Sequence, residues 1–239
     1  MQRPPKIITA RSIGLAFQNL FGELGPELNV TGHYSAGPRA RDWHVGIERA
    51  REFHREHKAK GWGGIGYHYV ISDDGVLICA RPTILKGAHV GLHNTSNIGV
   101  NCPGTVGDRP TEHQRATYQW LLANAHTDAL PKPHRTDRDL RRARLFGHHD
   151  WQGHHSNQCP GRFEAMYRAG LSREVPEEEE VAETRGAEEY PEPSEHGTTL
   201  ADHRHVSPEE AEQARNVDEV EDELPEADPA FDEAAEAVR

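Results

Sequence analysis

Long apolar runs are missing from this sequence of 239 residues, of which only 35% are hydrophobic and 7% aromatic. No stretch approaches the roughly 18 consecutive apolar residues of a membrane-spanning helix. Residues 1–25 also lack an apolar run followed by a small-residue cleavage site, which is the pattern of a signal peptide. We therefore expect no membrane insertion and no signal peptide.

Cysteine is scarce too, since Cys79, Cys102 and Cys159 are the three in the chain. They are too few and too scattered for a disulfide framework, which predicts a fold that is stable in a reducing compartment. Cys79 and Cys102 lie within apolar runs and are typical of small buried side chains. Cys159 differs because it lies in a polar turn, directly before Pro160 and Gly161.

Charge is distributed unevenly along the chain. Residues 171–239 carry 24 Asp+Glu against 5 Lys+Arg, a net charge of −19, which leaves +7 on residues 1–170. Only ten of those last 69 residues are Leu, Ile, Val or Phe, too few to offset the entropy of ordering a highly charged segment. We predict one globular domain over residues 1–170 and an acidic, largely disordered tail over 171–239.

One segment of the tail has a helical pattern, at residues 207–224. Ser207 can cap a helix and Pro208 suits its first position, while apolar residues follow at spacings of three and four. Because so short a helix is marginal in water without a partner, we predict a transient helix there.

The charge of +7 on residues 1–170 is dispersed, and no nucleic-acid-binding motif accompanies it. We therefore expect no nucleic-acid partner. The sequence shows no internal repeat and, after residue 170, no wall-binding repeat. We expect a monomer.

The apolar patterns of residues 1–170 predict alternating strands and helices. Residues 29–31 indicate a strand that ends near His33, and Asp42 can cap a helix over residues 43–60. Two β-prone runs, 66–71 and 76–80, flank Asp74-Gly75, a strong hairpin signal.

Further along, residues 98–102 indicate a buried strand and residues 161–169 a closing helix. Thr111 and Gln114 have capping-box spacing at the start of another helix, whose predicted buried stripe is Ala116, Trp120, Leu121 and Ala125. The fold class is therefore α/β, a mixed central sheet with helices packed on its faces.

Histidine is abundant, with 14 of the 17 in residues 1–170. Most must be structural or exposed, and by default we assign His44, His113, His126 and His134 to the surface. His148 and Cys159 lie eleven residues apart, a weak indication of a metal site by itself. His33 at a strand end adds a third donor, and a catalytic zinc typically has three protein ligands that include imidazole and thiolate.

Six ordered motifs then identify a family. They are TGHYSAG (31–37), GWGGIGYHYVISDDG (61–75), KGAHVGLHNTSNIGVN (86–101), PTEHQ (110–114), GHHDW (147–151) and QCPGRF (158–163). Together they resemble the zinc-dependent N-acetylmuramoyl-L-alanine amidases, the family of the phage-type amidases and the peptidoglycan recognition proteins. The resemblance implies hydrolysis of the amide between N-acetylmuramic acid and L-alanine in bacterial peptidoglycan by a zinc-activated water.

The resemblance also implies roles for single residues. It assigns His33, His148 and Cys159 as ligands of Zn²⁺, and Tyr67 as a catalytic side chain near the metal. A half-buried strand aromatic is the alternative for Tyr67. His89 and Asn94 correspond to positions that line the cleft and are candidates for substrate binding.

One position departs from the family pattern. Relatives that cleave the bond commonly have Lys or Thr two residues before the Cys, where this chain has Asn157. Asn157 can donate a hydrogen bond to an oxyanion but cannot deliver a proton. We therefore predict that a loop imidazole, His155 or else His154, supplies the acid, the alternative being that both are simply solvated.

These observations predict a cell-wall lysis enzyme of a phage or prophage, held in the host cytoplasm before release to the cell wall, or a virion-associated hydrolase. A non-catalytic peptidoglycan-binding recognition module is one alternative. An interaction protein that acts through the acidic tail is another.

Overall fold

A single six-stranded sheet forms the centre of the computed structural model, which describes residues 3–169. Its order is β1-β4-β3-β5-β2-β6. The hairpin pair β3/β4 is antiparallel and the other pairs are parallel, so the sheet is mixed as predicted. The strands are β1 (Ile7–Thr9), β2 (Asn29–His33), β3 (Tyr69–Ile71), β4 (Leu77–Cys79), β5 (Asn97–Asn101) and β6 (Arg144–Gly147).

The predicted tail over residues 171–239 and its helix at 207–224 lie outside the described residues. The boundary predicted at residue 170 adjoins them and stays a prediction.

Within residues 3–169, three α-helices accompany the sheet: α1 (Trp43–Ala59), α2 (Glu112–Asn124) and α3 (Glu164–Arg168). The Asp42 side chain accepts the backbone N–H groups of His44 and Val45 in the first turn of α1. Thr111 and Gln114 form the capping box of α2, so both predicted starts are confirmed. Within residues 3–169 no helix is long and apolar enough to cross a bilayer.

Two hydrophobic clusters lie on opposite faces of the sheet. Tyr69 and Ile71 belong to the cluster that α2 covers, whereas Val70 between them belongs to the cluster with Phe53 of α1. This division follows from the alternation of side chains along a strand. Helices therefore cover both faces, as the fold class predicted.

The prediction of which α2 side chains are buried is only partly correct. Trp120, Leu121 and Ala125 are buried, but Ala116 is exposed. The orientation is set by Gln114, whose amide donates to the backbone oxygen of Ile71 at 3.2 Å. At about 100° per residue, Ala116 then lies roughly on the opposite side of the helix.

His134 is a second correction, because the sequence analysis places it on the surface whereas it is only 3% exposed. Its carbonyl accepts the Tyr69 hydroxyl at 2.6 Å, which holds this segment against β3. Long-range packing of this kind leaves no local signal in the sequence.

The parallel strands β5, β2 and β6 bring their carboxyl ends to one edge of the sheet. His33 ends β2 and pairs with Asn101, the last residue of β5, while His148 directly follows β6. Crevices at the carboxyl ends of parallel strands are common ligand sites in α/β folds. The topology therefore places His33, Asn101 and His148 at the same edge of the sheet.

Close packing next to this edge requires glycine at position 32. A Cβ atom at position 32 would overlap the ring of Tyr167 in α3. The Tyr167 hydroxyl donates to the His33 carbonyl at 2.9 Å, so α3 fixes the backbone that carries His33.

Candidate metal centre and active site

Three buried side chains, His33, His148 and Cys159, converge at the carboxyl edge of the sheet. Each offers one donor atom, and these atoms all lie within 4.8 Å of one another. The three residues are 1%, 4% and 2% exposed. Two imidazoles and one thiol at this separation form a donor set that suits Zn²⁺, so the side chains present fit the metal that the sequence predicts.

Cys159 is positioned by the chain that follows β2. Its Sγ accepts the backbone N–H of Tyr34 at 3.3 Å and lies 3.7 Å from Nδ1 of His33. Burial raises the pKa of the Cys159 thiol to about 12. A cation bound between these side chains would oppose that rise, because the thiolate is the form that binds metals.

Each of these histidines contacts a second histidine. His33 Nε2 lies 3.0 Å from Nδ1 of His89, and His148 Nε2 lies 3.2 Å from Nδ1 of His154. Burial lowers the pKa of His89 to about 4, so this ring is neutral at pH 7. The sequence identified His89 and His154 as candidates but did not reveal these contacts.

Tyr67 lies beside the three donors. It is 5% exposed, and its ring centroid is 5.2 Å from that of His33. Burial and the neighbouring Cys159 sulfur raise the pKa of the Tyr67 hydroxyl well above its ordinary value. The phenol therefore stays protonated at neutral pH and can donate a hydrogen bond there.

Asn101 is a site residue that the sequence analysis missed. It is fully buried opposite His33, and neither amide atom of its side chain has a hydrogen-bond partner within residues 3–169. The amide is near enough to Tyr67 to lower the pKa of the phenol, although the pair does not meet hydrogen-bond geometry. Its position at the end of a predicted strand was the available signal.

The loop between His148 and Cys159 holds the other predicted catalytic residues. His155 is exposed, with Nδ1 2.9 Å from the carbonyl of His149. The Asn157 Oδ1 accepts the Cys159 backbone N–H at 2.8 Å and so supports the turn that carries the thiol. The structure brings His154, rather than His155, into contact with His148.

The predicted substrate-binding residues both belong to the loop before β5. Asn94 Oδ1 accepts the backbone N–H groups of His89 and Val90 at 2.9 and 3.0 Å. The His89 ring is 8% exposed and lies against His33. Their contacts in this structure are thus within the protein, and a role in substrate binding stays a prediction.

The sequence of this chain is similar to that of known proteins. The family model described as N-acetylmuramoyl-L-alanine amidase matches residues 25–162. The endolysin of Enterobacteria phage T3 is 30% identical over 105 residues, which cover 37% of this chain and 68% of that protein. The endolysin of Escherichia phage T7 is 29% identical with the same coverage.

Solved structures share the fold. Wild-type Drosophila PGRP-LB superposes with a TM-score of 0.57 at 20% identity, over 72% of this chain and 96% of that one. The family model spans more than half of the sequence, and this chain therefore belongs to the N-acetylmuramoyl-L-alanine amidase family of peptidoglycan hydrolases.

Proposed function

We propose that this chain hydrolyses the amide between the lactyl group of N-acetylmuramic acid and L-alanine of peptidoglycan with one Zn²⁺ held by His33, His148 and Cys159. The observation that carries the proposal is the buried cluster of their three donor atoms within 4.8 Å. Zinc in such a site polarises a carbonyl and lowers the pKa of water to about 7.

Tyr67 supplies a hydrogen bond to the oxygen that gains negative charge as the amide carbon becomes tetrahedral. Its phenol is protonated and its ring lies next to His33. A donor held in place before the reaction costs no reorganisation when charge develops. Asn101, whose buried amide has no hydrogen-bond partner among the described residues, can support the same oxygen or the Tyr67 hydroxyl.

The leaving amine of L-alanine needs a proton. Both nitrogens of His154 have partners, His148 and the carbonyl of Gly91, so His154 would have to break one contact to deliver it. His155 is exposed and has a partner on Nδ1 alone within the described part of the chain. We therefore keep His155 as the proposed acid, with Asn157 holding the turn behind it.

The test measures metal and product together. Purified peptidoglycan is digested, and the new N-terminal L-alanine and freed stem peptides are quantified while zinc is measured per protein chain. We expect about one zinc and release of free stem peptide. His33→Ala, His148→Ala and Cys159→Ala should each abolish release, whereas Cys79→Ala, which removes a buried thiol of β4, should not.

The same assay separates the enzyme from a recognition module. A chain that binds peptidoglycan, contains no zinc and releases no stem peptide would be the non-catalytic alternative. The endolysin relatives support a role in phage or prophage lysis. We propose that the enzyme is held in the host cytoplasm or on the virion before it reaches the wall.

A further inference from the structure

The contacts of the two ligand histidines follow the same atom pattern. His33 Nε2 meets His89 Nδ1 at 3.0 Å, and His89 Nε2 meets the carbonyl of Asn97 at 3.1 Å. His148 Nε2 meets His154 Nδ1 at 3.2 Å, and His154 Nε2 meets the carbonyl of Gly91 at 3.1 Å. Each ligand imidazole is thus linked through a second imidazole to a backbone oxygen.

This pattern determines which nitrogen carries each hydrogen. A carbonyl oxygen only accepts, so the Nε2 atoms of His89 and His154 must be the N–H donors. In a neutral ring Nδ1 then bears the lone pair, and it accepts the Nε2–H of the ligand histidine. His33 and His148 are consequently held with their lone pairs on Nδ1, and in His33 that atom faces Cys159 Sγ at 3.7 Å.

The loop before β5, together with the first residue of that strand, supports both links. His89, the Gly91 carbonyl and the Asn97 carbonyl all belong to residues 89–97, and Asn94 closes the loop through the backbone N–H of His89. The His89 ring has little room to turn, because a Cβ atom on Gly87 or Gly99 would lie 2.6 Å from its Cδ2. The His89 ring is therefore fixed by close packing, and the His154 ring is held by its contact with the Gly91 carbonyl.

We propose that His89 and His154 are positioning residues that select the Nδ1-ligating tautomer of His33 and His148, with residues 89–97 as their shared support. The proposal rests on the metal site put forward above. Outer partners of metal-binding histidines typically change metal affinity by about 10- to 100-fold when they are removed.

The variants are His89→Leu and His154→Leu, which remove the acceptor, and His89→Asn and His154→Asn, which restore an acceptor near the position of Nδ1. The exposed His113→Leu in α2 is the matched control. Zinc affinity is measured by competition with a chelator, and ring tautomers are read from ¹⁵N–¹H spectra of the metal-free full-length protein.

We expect the metal-free wild type to show the Nε2–H tautomer at His33 and His148. Each Leu variant should bind zinc about 10- to 100-fold more weakly, each Asn variant should recover part of that loss, and His113→Leu should match the wild type. If a Leu variant fails to fold, the Asn variant and the wild-type spectra still test the tautomer.

Two results would overturn the proposal. One is an Nδ1–H tautomer at His33 and His148 in the wild type, and the other is unchanged zinc affinity in both Leu variants. If the wild type bound no zinc, the proposed zinc-dependent function would be wrong. That outcome is distinguishable from failure of the present proposal, because the tautomer is measured without metal.

Discussion

Trp151 donates its indole N–H to the hydroxyl of Thr31 at 2.9 Å, across 120 positions of sequence. Thr31 lies two residues before His33 on β2 and donates in turn to Asn97 Oδ1 at 2.9 Å. Trp151 follows the short segment that carries His148. This buried hydroxyl therefore joins the strand of one proposed ligand, the segment of the second and the first residue of β5.

Replacing Thr31 by Val should destabilise the protein, because the nearly isosteric side chain leaves the Trp151 N–H and the Asn97 oxygen without this partner. A buried polar group left unpaired costs about 1–3 kcal/mol. Urea denaturation measures the change, and Thr31→Ser, which keeps the hydroxyl, should recover most of it. Equal losses for Val and Ser would point to packing rather than to the hydrogen bonds.

Tyr67→Phe should lower turnover of peptidoglycan by on the order of 10²- to 10³-fold, the range for loss of one oxyanion donor. Zinc content should stay at the wild-type value, because the phenol is a donor near the metal site and not one of the three ligands. Kinetics and metal analysis on the same preparation check both. Unchanged turnover would leave Tyr67 with a packing role alone.

Gly32→Ala should destabilise the fold by at least the 1–3 kcal/mol typical of overpacking, since the added methyl group overlaps the Tyr167 ring. Gly107→Ala is the matched control, because its Cβ atom would meet nothing within 4 Å. Thermal unfolding compares the two variants. A Gly32→Ala protein as stable as Gly107→Ala would contradict the close approach of α3 to β2.

Stability should fall as the pH is lowered from about 6.5 towards 4. Burial lowers the pKa of His134 to about 4 and that of His68 well below its ordinary value. The unfolded chain, with histidine pKa values near 6.5, therefore binds more protons than the folded chain in this window. The stabilisation is fully present above that window. Within it, the free energy of unfolding falls by up to ~1.4 kcal/mol per pH unit for each such histidine.

Urea denaturation of metal-free protein between pH 4.5 and 7.5 measures this slope. His134→Gln removes one of the buried rings and should reduce the slope. If the variant and the wild type lost stability in parallel, other groups would be responsible.

Deleting residues 172–239 should leave zinc content and the melting temperature nearly unchanged, because the sequence predicts that this acidic segment is separate from the globular domain. If its net charge of −19 competes with anionic wall polymers for the +7 domain, deletion should raise activity at low salt. At 1 M salt the Debye length is about 3 Å and the gain should vanish. A large drop in melting temperature would make the segment part of the fold.

Local signals predicted much of the framework. Asp42, Thr111 and Asp74-Gly75 act over a few residues, so both helix starts and the hairpin followed from the sequence. The resemblance to known amidases identified His33, His148 and Cys159, which the structure brings together.

Long-range pairing escaped prediction. Asn101 meets His33 only through the parallel register of β2 and β5, and the contact of His89 with His33 spans 56 positions. His134 and Ala116 were misassigned because their exposure depends on neighbours far away in the sequence. Periodicity and capping carry no information about such partners.

The wide separation of the donors along the chain also affects when the centre can form during synthesis. His33 and Cys159 are 126 positions apart, and at 5–20 residues per second a ribosome needs roughly 6–25 s to pass from one to the other. His33 therefore leaves the ribosome long before its partner thiol exists. A chain that stops short of residue 159 would lack the third proposed ligand, so we expect truncated products of translation to be inactive.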